Sequence, residues 1–487
     1  MLDELNCHRK AGVKVEKCTR RVFLRGAAGL SASSLALTHA WGLVAGETQN
    51  IRSWITTRER KFQPATAGIW QTASAVSGPA ITIDGEQRFQ SILGFGGAFT
   101  DASCYLISGM APAAREQVME DFFGASGLRF SVGRTCIGSS DYSRNAYSFD
   151  DSRTSDPSLS RFSIDHDRAY ILPTLRDALR VNPEMFYIST PWSPPGWMKA
   201  GNSLLGGSMR KEYFAAYAQY FVRFIQGYKA EGVPVAAVTS QNEVDTDQNG
   251  RMPAALWGQE YEMAFVRDFL GPAFRQASID TKILILDHNY DLWGRAVDEL
   301  SDPGVYQSVD GVAWHGYMGK ADAMTRVHDA FPEKNAYWTE GGSDFNAPDY
   351  ATDWAKWAAE YARILKNWAR CIIAWNLVLD EKGEPNIGPF QCGGLVTLNS
   401  QTHELTRSGQ YWAFAHYAKV VQRGARVIGS SGMLAGVEHV AFANPQGDTV
   451  LVLTNTAETA QTVQCRNAGK AVDVTLPADS VMTLQWS

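Results

Sequence analysis

Closely spaced cysteines are missing from this 487-residue sequence, whose seven cysteines lie scattered with no CxxC pair. That spacing indicates neither a zinc site nor a disulfide framework. An excess of positive charge is also missing: 45 Lys and Arg stand against 51 Asp and Glu, a net charge of −6. Such a chain presents no basic field to nucleic acid or to an anionic membrane. Internal repeats and low-complexity tracts are absent. No strand-like run leads into a phosphate-binding glycine loop, because Gly94-Phe95-Gly96-Gly97 lacks the spacing and the helix start that such a loop needs. Histidines number nine, and only His288 and His315 fall where a metal-dependent barrel hydrolase would need them. No metal or cofactor is therefore expected.

Apolar and aromatic residues are abundant. Hydrophobic residues make up 45% of the chain and aromatics 11%, with 15 Trp and 18 Tyr. This is the composition of a packed globular protein, and flat aromatic faces also suit the C–H surfaces of sugars. The length suits one large barrel with an appendage, or two to three smaller domains.

Residues 1–46 have the pattern of an export signal. Thr19-Arg20-Arg21-Val22-Phe23-Leu24 precedes a mildly apolar stretch of small residues from Gly26 to Gly46, the combination of a bacterial twin-arginine signal. Ser31, Ser33, Ser34, Thr38 and His39 interrupt that stretch, so it makes a poor membrane anchor. The expected partner during export is the twin-arginine translocase, and the expected destination is the periplasm or the medium, with no integral membrane segment once the signal is removed. Removal would leave five cysteines, expected as free, buried thiols.

From residue 91 to 422 short apolar runs alternate with helix-like segments, the pattern of βα units around a parallel sheet. Eight runs serve as strands: Ser91–Phe99, Leu128–Ile137, Met185–Thr190, Val235–Gln241, Lys282–Asp287, Val309–His315, Ala336–Glu340 and Cys371–Leu377. Helical spacing marks Lys211–Lys229, Ala254–Arg275, Tyr350–Asn367 and Ser408–Val421. Eight interleaved units predict a (β/α)₈ barrel; a doubly wound open sheet is the alternative. Residues 423–487 read as a small antiparallel β domain, with runs such as Val437–Phe442 and Thr449–Thr454 between turn signals. It is small for an independent core, so residues 47–90 are expected to lend it a strand, Ile81–Phe89.

Reactive groups of such barrels collect where strands end. Here each run ends in polar or aromatic residues: Thr100-Asp101, Ser140-Asp141, Pro191-Trp192, Asn242-Glu243, His288-Asn289, His315 with Tyr317, Glu340, and Trp375-Asn376. Glycosidic cleavage commonly needs two carboxyl groups, one kept protonated to donate to the leaving oxygen. Glu243 and Glu340, 97 residues or about three βα units apart, fall nearly opposite one another across the mouth. Gly341-Gly342 would let backbone or ligand approach Glu340 closely.

These residues also carry a family resemblance. Gly94-Phe95-Gly96-Gly97-Ala98-Phe99-Thr100-Asp101-Ala102 resembles the opening barrel motif of glycoside hydrolase family 30, which includes acid β-glucosylceramidases and endo-β-1,6-glucanases. Pro191-Trp192-Ser193-Pro194-Pro195-Gly196-Trp197-Met198-Lys199 is similar to its third-strand motif. Gln241-Asn242-Glu243, Trp338-Thr339-Glu340 and Trp375-Asn376-Leu377 are similar to its acid/base, nucleophile and eighth-strand motifs.

The resemblance implies a (β/α)₈ barrel with a side β-sandwich built from both chain ends. It implies a retaining β-glycosidase acting through a covalent glycosyl-enzyme, glucosylceramidase-like, with an endo-β-1,6-glucanase, β-xylosidase or β-fucosidase as alternatives. Its substrate would be a β-linked oligosaccharide, glucan or glycolipid. It makes Glu243 the proton donor and Glu340 the nucleophile, and Asp141, Trp192, Asn242 and Trp375 sugar contacts. Arg134 would hold the nucleophile ionised; Tyr317 and His315 would lie beside it, and Asp101 would touch sugar or support the first loop. Two positions depart from the glucosylceramidase pattern: Ser140 stands where that pattern has cysteine, and Gly316 where it has tryptophan. The missing indole would remove a wall of the cleft. A non-catalytic carbohydrate-binding protein is the reading from another class, and such proteins usually lose one of the two carboxylates.

Overall fold

The computed structural model describes residues 51–73 and 80–487. The proposed export signal lies outside them. Eight parallel strands close into a barrel: β1 (Gly94–Phe99), β2 (Val132–Cys136), β3 (Phe186–Thr190), β4 (Val235–Thr239), β5 (Lys282–Asn289), β6 (Gly311–His315), β7 (Asn335–Glu340) and β8 (Ala369–Ala374), with β8 pairing back onto β1. Val132, Ile188, Ala237, Leu284, Ala313, Tyr337 and Ile373 pack together in the barrel interior. The outer ring is amphipathic: helix Trp354–Lys366 buries Trp354, Ala355, Ala358, Tyr361, Ala362 and Leu365, at 3–4-residue spacing. Ser408 caps the helix Gly409–Ala418 by accepting a hydrogen bond from the Tyr411 backbone N–H.

Several expected boundaries shift for visible reasons. The first run is two strands: Ala80–Ser91 belongs to the side sheet, and β1 starts at Gly94 after Ile92 and Leu93 have bonded Ala425 and Arg370. The run at Ala254–Arg275 becomes helical only from Gln259, with a π turn at Val266–Leu270. The eighth strand stops at Ala374, two residues before Asn376 takes φ +60°, and a small sheet of Val378–Asp380, Val396–Leu398 and Leu405–Arg407 follows.

The side domain draws on both chain ends, and more heavily on the first than expected. Ala80–Ser91 pairs antiparallel with Arg426–Ser431 and parallel with Gln461–Asn467, inserting between two C-terminal strands. Arg52–Thr56 also joins, against Ser480–Trp486. Alternation sets this insertion: Ile81 and Ile83 point into an apolar core with Ile428, Leu451, Val463, Leu484 and Trp486. Among the described residues no helix is long and apolar enough to cross a membrane. The five described cysteines are unpaired, and all but Cys392 are buried.

Candidate active site

The C-terminal ends of the barrel strands surround a cavity of 550 Å³, lined among others by Asp141, Trp192, Asn242, Glu243, Tyr317, Glu340 and Trp375. Seven of the ten residues singled out above thus meet in one cleft. Arg134 and His315 lie beneath it, fully buried, and touch the two glutamates from below. Asp101 is elsewhere: its carboxylate binds His166 at 2.8 Å, the Tyr170 hydroxyl at 2.6 Å and the Arg144 backbone N–H at 2.8 Å. It supports the first loop and does not line the cleft.

Register shifts aim the reactive groups inward. Along β5 the pairing with β6 slips between Ala313 and Trp314, leaving Asp287 as an extra residue, with φ +71° at Leu286 and +45° at Asp287. Such a bulge turns one side chain out of the alternation, and Asp287 enters the barrel. Between β6 and β7 the register slips at Trp314/His315, so His315 pairs with Glu340 and Thr339 is passed over. Glu243 itself sits at φ +49°, a conformation that costs a residue with a Cβ about 1–3 kcal/mol and gathers at functional sites.

The resulting network is dense. Glu340 accepts hydrogen bonds from Arg134 and, at 2.9 Å, from the Tyr317 hydroxyl. Arg134 also donates to Asp287 at 2.7 Å and Asn242 at 2.8 Å. Burial works against the Arg134 charge, but Asp287 and Glu340 outweigh it and stabilise the guanidinium. Burial likewise opposes ionisation of Asp287, yet Arg134 and His315 hold its carboxyl far below the usual range. For His315 burial favours the neutral ring, but Glu340, Asp287 and Glu243 together raise it to about 9. Its Nδ1 lies 3.5 Å from Glu243 and its Nε2 3.1 Å from Asp287 and 3.9 Å from Glu340.

Glu243 departs from the expectation for a proton donor. Burial would raise its pKa, but the His315 cation, with His288 and the Gln248 amide 2.7 Å away, brings it below the ordinary value. The two shifts run in opposite directions, and both favour an ionised Glu243 facing a charged His315 in the free site. Glu243, His288 and His315 also approach closely enough to hold a cation, with ligand atoms within 4.8 Å of one another. Asp287 holds His315 through Nε2 at 3.1 Å, which leaves Nδ1 to face Glu243.

The cleft walls are aromatic. Trp192 and Trp375 stack at 5.2 Å and 21°, with the Arg134 guanidinium 4.7 Å from the Trp192 ring. Asp141 keeps Oδ1 buried without a partner, and burial followed by repulsion from Glu340 and Glu243 pushes its carboxyl well above the usual range. A carboxyl group in that state can pair with a hydroxyl-rich ligand through both donor and acceptor.

Sequence reasoning missed Asp287 and Gln248 as members of the site, and named His288 only as a strand-end residue. Asp287 was hidden as the last residue of an apolar run, and only the bulge exposes its role. The expectation for Gly341 is also corrected. A Cβ on Gly341 would lie 2.1 Å from the Trp338 ring, so the glycine admits a buried indole and not a ligand. A side chain on Gly316 would start 2.6 Å from that same ring, and Tyr317 and Met318 line the cleft beside it.

The comparisons with known proteins agree with this arrangement. The glycosyl hydrolase family 30 TIM-barrel domain matches residues 92–421, and the family 30 beta sandwich domain matches residues 424–484. The chain is 33% identical to an endo-1,6-beta-D-glucanase of Neurospora crassa over 387 residues, 76% of this chain and 79% of the relative. It is 27% identical to the mouse lysosomal acid glucosylceramidase, over 82% of each chain. Among solved structures, SrfJ of Salmonella typhimurium superimposes with a TM-score of 0.85 at 27% identity, covering 90% of this chain and 99% of that one. A closed eight-stranded barrel with two glutamates at its mouth, a side sandwich and these matches together place the chain in glycosyl hydrolase family 30, as a glycosidase.

Proposed function

We propose that this glycosidase cleaves a β-glucoside with retention of configuration, Glu340 being the nucleophile and Glu243 the acid/base. The observation that carries this reading is that Arg134 and Tyr317 orient both oxygens of Glu340, while Glu243 is held by Gln248 at 2.7 Å with the His315 ring 3.5 Å away. A sugar seated beside the Trp192–Trp375 pair presents its anomeric carbon to Glu340. Glu340 attacks as the bond to the leaving oxygen breaks, and Glu243, resupplied with a proton by the neighbouring His315, delivers it to that oxygen. Glu243 then takes a proton from water, which attacks the glycosyl-Glu340 ester and releases a β-configured product.

A glucan-type substrate is favoured by the groove beyond Glu243. A second cavity of 460 Å³ shares Asp245 and Leu292 with the first and offers Ser208, Tyr261 and Gln259 to further sugar units on the leaving-group side. The relative named as an endo-1,6-beta-D-glucanase points the same way. A glycolipid is the second reading, supported by exposed Met318, Phe390, Leu205 and Leu256 and by the glucosylceramidase relative. Comparing kcat/KM on β-1,6-gluco-oligosaccharides of rising length with glucosylceramide separates them: rates that climb with length favour the glucan.

The two glutamates should fail differently. Glu243→Ala should lose roughly 10²–10⁴-fold on a leaving group that needs a proton, and spare the first step for an acidic phenol. Azide should rescue it and yield the β-glycosyl azide. Glu340→Ala should lose activity on all substrates, with any azide product α-configured. The opposite azide stereochemistry would mean that the roles are reversed.

We also propose export through the twin-arginine route, on the strength of Arg20-Arg21 and the mildly apolar run behind them. Arg20→Lys with Arg21→Lys should leave the enzyme in the cytoplasm, because a guanidinium and an ammonium are not equivalent to a receptor. Undiminished export of the double variant would contradict this.

A further inference from the structure

At the end of the barrel remote from the cleft, the seam with the side sheet encloses a cavity of 360 Å³. Arg88, His328, Lys334, Arg370 and Arg426 line it, and among the described residues no carboxylate does. This grouping of cations stands out in a chain whose net charge is −6.

The hydrogen bonds of these groups orient them without cancelling their charge. Arg370 donates to the Ser91 carbonyl, the Ser91 hydroxyl and the Asn335 amide oxygen, each at 3.1 Å. Arg426 donates to the Phe89 carbonyl at 2.8 Å, and Lys334 to the Tyr306 and Val309 carbonyls at 2.6 and 2.7 Å. Arg88 reaches only the Gly85 carbonyl, at 3.4 Å. Every one of these acceptors is neutral, and none of the four forms an ion pair among the described residues. Asp310, a carboxylate acting on Lys334, is itself taken up by Lys282, Asn335 and Tyr337. His328 stacks on Trp368 at 3.5 Å and completes a firm wall.

We infer that this seam binds an oxyanion of the phosphate class. Like charges collected at one site repel, and a multivalent anion with several acceptor oxygens relieves that repulsion while matching the guanidinium fork. The lining residues come from the side-sheet strand Ala80–Ser91, from Arg426–Ser431, from helix Asp322–Ala330 and from the entries to β7 and β8. An anion there ties the side sheet to the barrel floor, so binding stabilises the folded chain by mass action.

The test is calorimetric titration of the full-length enzyme with inorganic phosphate, at ionic strength held constant with sodium chloride, alongside thermal unfolding. Saturable binding and a rise in Tm are expected from phosphate and not from chloride. The exposed pair Arg88→Ser and Arg426→Ser should weaken binding at least tenfold and remove the rise in Tm. Its hydrolytic activity should stay at the level of the unaltered enzyme, which also reports that it is folded. Glucose 6-phosphate run in parallel distinguishes the sources: tighter binding than phosphate assigns an esterified sugar, and equal binding the free ion. No saturable phosphate binding, or binding equal in the double variant, overturns the inference. Sedimentation with anionic vesicles in the absence of phosphate affinity overturns it too.

Discussion

Between Arg134 and His315, the Asp287 carboxylate accepts hydrogen bonds from both cations and from the hydroxyls of Thr190, Thr239 and Thr339. It touches neither wall of the cleft, yet it anchors the arginine that grips Glu340 and helps hold the proton on the histidine beside Glu243. Asp287→Asn keeps the shape and removes the charge. The His315 pKa should then fall, and the His315–Glu243 pair should lose its proton at lower pH. We expect the alkaline limb of kcat/KM on an aryl β-glucoside to move down by about 1 to 3 pH units, and kcat to drop roughly 10²-fold as Glu340 loses its alignment. A limb that stays in place would show that Asp287 does not govern the His315 proton. In the unaltered enzyme that limb should lie above the range of an ordinary glutamate, about 4.3, because the imidazole stores the proton.

At the level of elements, glycine in β1 serves the barrel and not a ligand. A Cβ on Gly96 would fall 1.8 Å from the Val132 carbonyl oxygen of the neighbouring strand. Backbone cannot yield there as a side-chain tip could, so Gly96→Ala should cost about 3 kcal/mol, the upper end of overpacking penalties, read as a lower denaturation midpoint. A midpoint unchanged within error would show that β1 and β2 stand further apart. The bulge in β5 is the counterpart at the mouth. A continuous strand would keep Asp287 in the plain alternation of the run Ile283–Leu286, whereas the slipped register lets it share the barrel interior with Arg134.

Across the whole molecule, the barrel and side sheet are joined through a buried histidine. His416, on helix Gly409–Ala418, faces Thr483 at 2.9 Å and Thr56 at 2.8 Å, one from each end of the chain. Burial lowers its pKa to about 3. The unfolded chain takes up this proton below about 6.5, whereas the folded one refuses it until near 3. The stability from a neutral His416 is thus complete above the unfolded value and is lost as pH falls, at about 1.4 kcal/mol per pH unit within that window. His416→Gln should therefore show a smaller fall in Tm between pH 7 and 4 than the unaltered enzyme; parallel curves would rule this junction out as an acid-sensitive point.

The sequence by itself determined the barrel, the order of its strands and the positions of Glu243 and Glu340. Apolar runs of strand length, broken by helical spacing and ending in polar residues, are local signals that no distant contact needs to supply. Their places at strand ends, read with the family resemblance, likewise marked Asp141, Trp192, Asn242 and Trp375, which line the cleft. Only the tertiary structure decided that Asp101 serves a loop, that Asp287 belongs to the site, and that His315 lies between Glu243 and Asp287. It also decided that the N-terminal segment gives the side sheet two well-formed strands, Arg52–Thr56 and Ala80–Ser91. Each of these depends on a partner far along the chain: a bulge exists only against a neighbouring strand, and a buried charge is set by the groups packed around it. Periodicity within one segment contains neither.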